Sequence, residues 1–93
     1  MAPTSRVTAP DLRARKVADG HLPIVMVTAY DAPGSLMADE AGVDVILVGD
    51  TLAMVVLGNV DTLQVTIEDK AHHTAAVARA RPSAKVRGDL PWL

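Results

Sequence analysis

Three aspartates stand directly after segments that predict short strands: Asp31, Asp50 and Asp89. In parallel α/β folds, ligands bind at the carboxyl ends of the strands, so acids in these positions converge at one edge of the sheet. Carboxylates from neighbouring strands suit a hard divalent cation. Mg²⁺ takes one or two of them and completes its shell with water and substrate oxygens.

An aspartate after a strand also has an ordinary structural role, as a turn residue or a helix cap. For Asp31 we favour the cap, because a predicted helix starts immediately after it. For Asp50 and Asp89 the residue pattern leaves the turn role and the metal-ligand role equally open.

The elements that must position these acids alternate in type. Thr8 with Asp11, and Thr66 with Asp69, have the spacing of capping boxes and predict two helix starts. Gly20 supplies a stop for the first of these helices. The predicted elements are a helix (9–18), a strand (24–29), a helix (31–41), a strand (43–48), a long loop (51–65), a helix (66–80) and a strand (84–88). This α-βα-βα-β order predicts one α/β domain over residues 1–93, with a parallel sheet and right-handed crossovers.

Composition excludes several classes of protein. Hydrophobic residues make up 49% of the 93 residues, which is too apolar for a disordered chain, and there is no cysteine for a disulfide scaffold or thiolate metal site. The net charge of −2 gives no basic surface for nucleic acid or acidic membranes. No apolar run approaches the ~18 residues of a membrane helix, and the first residues hold no signal-peptide core. We therefore expect a cytoplasmic protein.

Five motifs in register carry a resemblance to a known family. They are TAYD (28–31), VGDTL (48–52), TLQVT (62–66), HTAAV (73–77) and GDLPW (88–92). The chain resembles the ketopantoate hydroxymethyltransferases, whose members carry VGDSLG, TLPVT and YHTxAV stretches and a DxPF-type strand ending in this order. The resemblance covers about residues 5 to 93.

The resemblance implies a fold and a reaction. The family fold is a parallel (β/α)8 barrel, of which this chain would supply the N-terminal helix, the first three strands and two helices. The family transfers a hydroxymethyl group from 5,10-methylenetetrahydrofolate to 3-methyl-2-oxobutanoate, giving 2-dehydropantoate. Its bacterial members form large homo-oligomers. The partners implied are thus a small keto acid and a folate, and the cofactor is Mg²⁺.

The same resemblance assigns site residues. Asp50 and Asp89 match the family's first and second metal-binding aspartates, and Thr51 stands where the family has a serine that contacts the keto acid's carboxylate. Asp50, Thr51 and Asp89 are then the expected substrate-binding residues. The family's third metal-binding acid, its substrate-binding lysine and its catalytic glutamate belong beyond residue 93. We therefore expect a truncated chain that is inactive alone.

Some positions depart from the family pattern. Lys70 replaces an apolar residue, Ala53 a glycine and His72 a tyrosine. The third strand carries two cations, Lys85 and Arg87, on the same face as Asp89. If Asp89 points into the mouth of a barrel, both cations point into its apolar interior, where an unpaired charge costs several kcal/mol.

Two devices would relieve that cost. An inward Asp44 would pair with one of the cations, or a bulge near Gly88 would turn both outward. The remaining cations of that region, Arg79 and Arg81, read with them as a solvated basic run.

Other chemistry-bearing residues have structural interpretations. Adjacent His72 and His73 lie about 100° apart around a helix, so they cannot share one ion from one face. For His73 we expect packing or a hydrogen bond. An apolar patch in the 51–65 loop is open to two interpretations, a lid or subunit contact, or a loop packed over the barrel mouth. Its members are Leu52, Met54, Val55, Val56 and Leu57.

Two rival hypotheses remain. One is a barrel enzyme of the phosphoenolpyruvate mutase and isocitrate lyase group, which shares the strand-end acids but is disfavoured by the HTAAV helix. The other is a non-catalytic fragment or gene remnant, for which a charged third strand is the expected mark of a relaxed barrel core.

Overall fold

The structure, a computed structural model, describes residues 6–89. The predicted element order is confirmed over this range, with one short helix added. The helices are α1 (Ala9–Ala14), α2 (Ala32–Glu40), α3 (Leu52–Val55) and α4 (Ile67–Arg79), and the strands are β1 (Met26–Thr28), β2 (Val45–Val48) and β3 (Lys85–Gly88). Within the same range, no helix has the length and apolar character needed to span a bilayer.

The three strands form one parallel sheet in the order β1-β2-β3, as predicted. Met26 pairs with Val45, and Val45 pairs with Lys85. The first two strands begin later than predicted. The residues just before them are joined instead by hydrogen bonds between Asp44 and Val25. Its carboxylate accepts the Val25 N–H at 2.9 Å, and its own N–H donates to the Val25 carbonyl at 3.0 Å.

One face of the sheet is packed against α2 and α4. Ile46 and Val48 of β2 are fully buried, together with Val77 of α4. Ser35 of α2 is also fully buried, and its hydroxyl donates to the Val77 carbonyl at 3.0 Å, which fixes the two helices to each other. The core therefore lies between this face and the helices.

The opposite face has no helix layer over most of its area in the described range. Met26 is 48% exposed, and Lys85 and Arg87 are exposed. The expectation that these cations share a face with Asp89 agrees with the register. Both are exposed, because only α1 lies beside this face in the described range, and their burial inside a complete barrel stays a prediction. The bulge near Gly88 is also absent, since the ladder continues regularly to the Val48–Gly88 pair.

Asp44 pairs with a different cation from the one predicted. Its carboxylate binds Arg15, which follows α1, and contacts neither Lys85 nor Arg87. The Arg15 guanidinium, followed by the Val25 N–H, holds the pKa of Asp44 below its ordinary value of 3.8. The strands' register explains the error: Asp44 precedes Val45, so its side chain points to the opposite face from Lys85.

The first helix is also shorter than predicted, and the residue directly after it is the partner of Asp44. α1 ends at Ala14, and Arg15 has an extended backbone (φ −85°, ψ 99°) from which its guanidinium reaches Asp44. A single 3-10 turn over Val17–Asp19 follows, ending at Gly20 with φ +88°. The left-handed conformation favours glycine there, but Gly20 ends the 3-10 turn and not α1, so the predicted stop of the first helix is wrong.

The helix starts agree with the sequence. Thr8 with Asp11, and Thr66 with Asp69, form complete capping boxes at α1 and α4. Asp31 caps α2 by accepting the Gly34 N–H at 2.7 Å.

The segment predicted as a loop over residues 51–65 contains α3, so that prediction is wrong in part. Leu52 and Ala53 are fully buried in the core cluster, which anchors this turn of helix beside the end of β2. The four apolar residues that follow are exposed: Met54, Val55, Val56 and Leu57. Four residues are too few for a helical period to show in the sequence.

Candidate functional site

Two of the predicted acids lie at neighbouring strand ends. Asp50 follows β2 and Asp89 follows β3, and the Asp89 N–H donates to the Val48 carbonyl at 3.2 Å, which continues the ladder past the end of β3. A side-chain oxygen of Asp89 lies 3.9 Å from the point where a Cβ on Gly49 would stand. Both acids therefore border Gly49, at the carboxyl edge of the sheet, and any larger residue at position 49 would approach the Asp89 carboxylate.

Asp50 has a close cationic neighbour. Lys70 of α4 places its Nζ 3.0 Å from Oδ1 of Asp50 and donates a 2.8 Å hydrogen bond to the Val48 carbonyl. The Lys70 side chain is only 5% exposed, whereas that of Asp50 is 29% exposed. Oδ1 itself is buried and makes no hydrogen bond of good alignment with the described residues, so its contact with Lys70 is an ion pair. One carboxylate oxygen thus faces a buried ammonium group, while part of the side chain remains open to solvent.

Thr51 lies at the start of α3 with its side chain exposed. Its backbone is helical (φ −59°, ψ −16°), and its hydroxyl forms no capping hydrogen bond, unlike Thr66 at the start of α4. The hydroxyl is therefore available to a ligand next to Asp50.

Asp31, the remaining strand-end acid, is not expected to join Asp50 and Asp89 as a ligand. The Oδ1 of Asp31 is engaged by the Gly34 N–H, which agrees with the favoured prediction of a helix cap. His73 donates from Nδ1 to the Tyr30 carbonyl at 2.8 Å, one of the two roles expected for it, and His72 meets it edge-on with ring centroids 5.3 Å apart. Residues 90–92, the rest of the GDLPW motif, lie outside the described range.

The donor set is one that a magnesium ion accepts. Two carboxylates at one edge, with solvent access at both, match an ion that keeps most of its shell as water or substrate oxygen. No group of three or more histidine, cysteine or acidic side chains is close enough to hold a metal between residues 6 and 89, so a site for a fully protein-bound ion is not present there. Asp50 and Asp89 are the residues that would hold magnesium, with Lys70 as a charge that opposes it.

Lys70 is the site residue whose role sequence reasoning missed. A signal for it was present, because position 70 lies two helical turns before the buried Val77 and therefore on the same face of α4. A lysine on the core-facing stripe of a helix needs a buried partner. The pairing with Asp50 follows only from the crossing of α4 over the end of β2, which no local pattern specifies.

Comparison with known proteins identifies the family. A family model described as ketopantoate hydroxymethyltransferase matches residues 6–93. The chain is similar to a protein of Moorella thermoacetica named 3-methyl-2-oxobutanoate hydroxymethyltransferase, at 57% identity over the whole chain and 34% of that protein. A protein of the same name from Aeropyrum pernix is 56% identical over 97% of the chain and 32% of its own length.

A third relative of that name, from Ignicoccus hospitalis, is 64% identical over 74% of the chain and 26% of its own length. The chain thus spans about a third of the length of the curated relatives it matches. The five motifs, the strand-end acids and these similarities together show that the chain belongs to the ketopantoate hydroxymethyltransferase family.

Proposed function

We propose that this chain contributes the magnesium and keto-acid site of a 3-methyl-2-oxobutanoate hydroxymethyltransferase. The reaction transfers a hydroxymethyl group from 5,10-methylenetetrahydrofolate to 3-methyl-2-oxobutanoate and gives 2-dehydropantoate. The observation that carries the proposal is that Asp50 and Asp89 follow adjacent parallel strands, at the carboxyl edge of the sheet.

Each residue has a stated task in this proposal. Asp50 and Asp89 hold the ion, directly or through water, and Thr51 orients the substrate carboxylate with its free hydroxyl or its N–H. Magnesium, when bound, supplies positive charge that stabilises the enolate of the keto acid by several kcal/mol. Asp50 presents its solvent-facing side to the ion, because its buried Oδ1 faces Lys70.

The wider architecture is proposed on the shape of the sheet. Three parallel strands have helices on one face, and on the other an apolar and cationic surface remains exposed, as in a sector of a closed barrel. We propose that a complete (β/α)8 barrel surrounds this sector in the active enzyme. The catalytic base and the remaining site residues then come from strands additional to those described, and the chain alone is inactive. Homo-oligomeric assembly and a cytoplasmic location belong to the same proposal.

A chimera tests the function directly. Residues 6–93 of this chain replace the matching third of the Moorella thermoacetica relative, and the release of 2-dehydropantoate is measured with magnesium, the folate donor and the keto acid. We expect an active chimera. Asp50→Asn and Asp89→Asn each remove a charged oxygen ligand, so each lowers kcat/KM by about 100-fold or more and raises the magnesium concentration needed for half-maximal activity.

The matched control is Asp19→Asn, which makes the same chemical change in the exposed 3-10 turn. It leaves both kcat/KM and the magnesium requirement unchanged. A folded but inactive chimera, or full activity in the Asp50 and Asp89 variants, contradicts the proposed site.

A further inference from the structure

We propose that Lys70 is a built-in counter-ion of Asp50 that weakens divalent-cation binding at the carboxyl ends of β2 and β3. The inference rests on the proposed function, because it takes Asp50 as a ligand of the ion. It goes further in assigning a regulating charge to a residue on the helix layer, outside the expected ligand set.

The position of the lysine is fixed from three directions. α4 begins at a complete capping box formed by Thr66 and Asp69, which sets the start of the helix and hence the direction in which position 70 points. The Val48 carbonyl then accepts one Nζ–H at 2.8 Å, and Oδ1 of Asp50 lies 3.0 Å away. The lysine side chain is 5% exposed, so water has little access to replace either contact.

Burial strengthens the repulsion between the Lys70 charge and a cation bound at Asp50. Both Nζ and Oδ1 are shielded from solvent, and a buried pair is screened by salt much less than an exposed one. A cation held by the other side of the Asp50 carboxylate would be a close neighbour of the ammonium, and repulsion between like charges is strong in a partly desolvated site. Lys70 therefore offsets the attraction of Asp50 for a metal ion.

Alternative partners for Asp50 and Lys70 are few. Between residues 6 and 89 the only other ion pair within 4.0 Å joins Arg15 to Asp44, at the opposite end of β2. The exposed Lys85 begins β3, level with Val45, and is separated from Asp50 by the length of β2. Lys85 is thus a matched control for Lys70, because it carries the same charge but makes no contact with Asp50.

The experiment measures metal binding rather than turnover. Binding of Mn²⁺ to the purified chain is followed by water-proton relaxation and by isothermal titration calorimetry, at physiological salt, for the parent chain, Lys70→Met and Lys85→Met. Methionine keeps the unbranched apolar stem of lysine and removes the charge. We expect Lys70→Met to bind Mn²⁺ on the order of tenfold more tightly than the parent. Lys85→Met should stay within about twofold of the parent, because an exposed, distant charge is screened.

Two further variants keep the result interpretable. Lys70→Arg retains the charge and should retain weak binding. Lys70→Gln removes the charge but can still donate to the Val48 carbonyl, so it replaces Lys70→Met if circular dichroism shows that the methionine variant does not fold. Tight binding by either neutral variant supports the inference.

The outcomes separate this inference from the proposed function. If Asp50→Asn weakens Mn²⁺ binding but neither neutral variant at position 70 strengthens it, Lys70 has no such role and the metal site stands. If Asp50→Asn changes nothing in the parent or in Lys70→Met, Asp50 is not a ligand and both proposals fail. If Lys70→Met and Lys85→Met tighten Mn²⁺ binding equally, the cause is the change in net charge, and the proposed role of Lys70 is also overturned.

Discussion

At the scale of single residues, two partly or largely buried ion pairs between residues 6 and 89 have different tasks. Arg15 with Asp44 holds the segment after α1 against the start of β2, whereas Lys70 with Asp50 lies at the strand end where ligand is expected. The Asp44 carboxylate of the first pair also accepts the Val25 N–H, so it holds the backbone at Val25 as well as binding Arg15. It is therefore a structural pair.

A pH-dependent loss of stability should follow from the Asp44 pair. Asp44→Asn removes the charge that binds Arg15, so we expect the free energy of unfolding to fall by about 1–2 kcal/mol near neutral pH. Because the folded-state pKa of Asp44 is lowered from 3.8, the carboxylate contributes stability above that value and loses it as the pH falls through the folded pKa. The difference between the two proteins should then be constant above about pH 5 and shrink below pH 3.8.

Urea denaturation across this pH range measures the effect. Asp19→Asn, an exposed acid without an ion pair among the described residues, serves as the control and should follow the parent at every pH. A difference for Asp44→Asn that persists undiminished in acid would mean that the charge is not the stabilising feature.

The sequence predicted residue roles where the partner is local or the family motif is specific. The cap at Asp31, both capping boxes and the hydrogen-bonding role of His73 were all accessible in this way. The partners of Asp44 and Lys70 were not, because each lies at least twenty positions away and depends on how elements cross. Long-range ion pairs are set by tertiary packing, which no window of sequence contains.

At the scale of elements, α4 is the helix that connects the core to the candidate site. Its inner stripe carries Lys70 at one end and Val77 near the other, and Gly88 of β3 packs so close to Thr74 that an added Cβ would stand 2.7 Å from its hydroxyl oxygen. A small change in where α4 begins would therefore move both the core contact and the Lys70 charge.

The capping box at α4 gives a direct test of that dependence. Thr66→Ala removes the side-chain oxygen that accepts the Asp69 N–H, so we expect the free energy of unfolding to fall by about 1 kcal/mol. Thermal or urea denaturation measures this. Thr51→Ala is the matched control, because Thr51 also precedes a helix and is exposed but forms no side-chain capping bond; it should change stability by much less.

Equal losses for the two threonine variants would show that the α4 capping box does not contribute as described. The element boundaries were predicted well for α2 and α4 and poorly for α1, and α3 was not predicted at all. Local caps mark the starts of α2 and α4, whereas α1 ends where Arg15 becomes extended and pairs with Asp44, and α3 is too short to show a period.

At the scale of the whole molecule, the described sheet has one covered face, one largely open face and two outer strands. β1 and β3 each have a single strand neighbour in the described range, and Lys85 and Arg87 place two cations on β3. Charged residues on an outer strand oppose pairing with a second chain. The same cations that departed from the family's apolar pattern therefore have a physical use in an open sheet.

Removing those cations should promote self-association. We expect Lys85→Thr/Arg87→Thr to form dimers or larger species at lower protein concentration than the parent chain, because threonine favours strands and leaves the edge uncharged. Sedimentation velocity over a concentration series measures this. The control Lys16→Thr/Arg79→Thr makes the same charge change on exposed residues away from the sheet and should associate as the parent does. If the two double variants self-associate to the same extent, the charges on β3 are not what opposes association.

The spacing of the strands along the chain has a consequence for synthesis on the ribosome. Strand β2 sits between its two neighbours, and its second partner arrives about 40 residues after the first pairing is available, which takes roughly 2–8 seconds of translation. During that interval the newly made β1-α2-β2 unit has an unpaired strand edge. Chaperones that recognise extended apolar segments would meet Ile46 and Val48 in this window, before α4 is made to cover them.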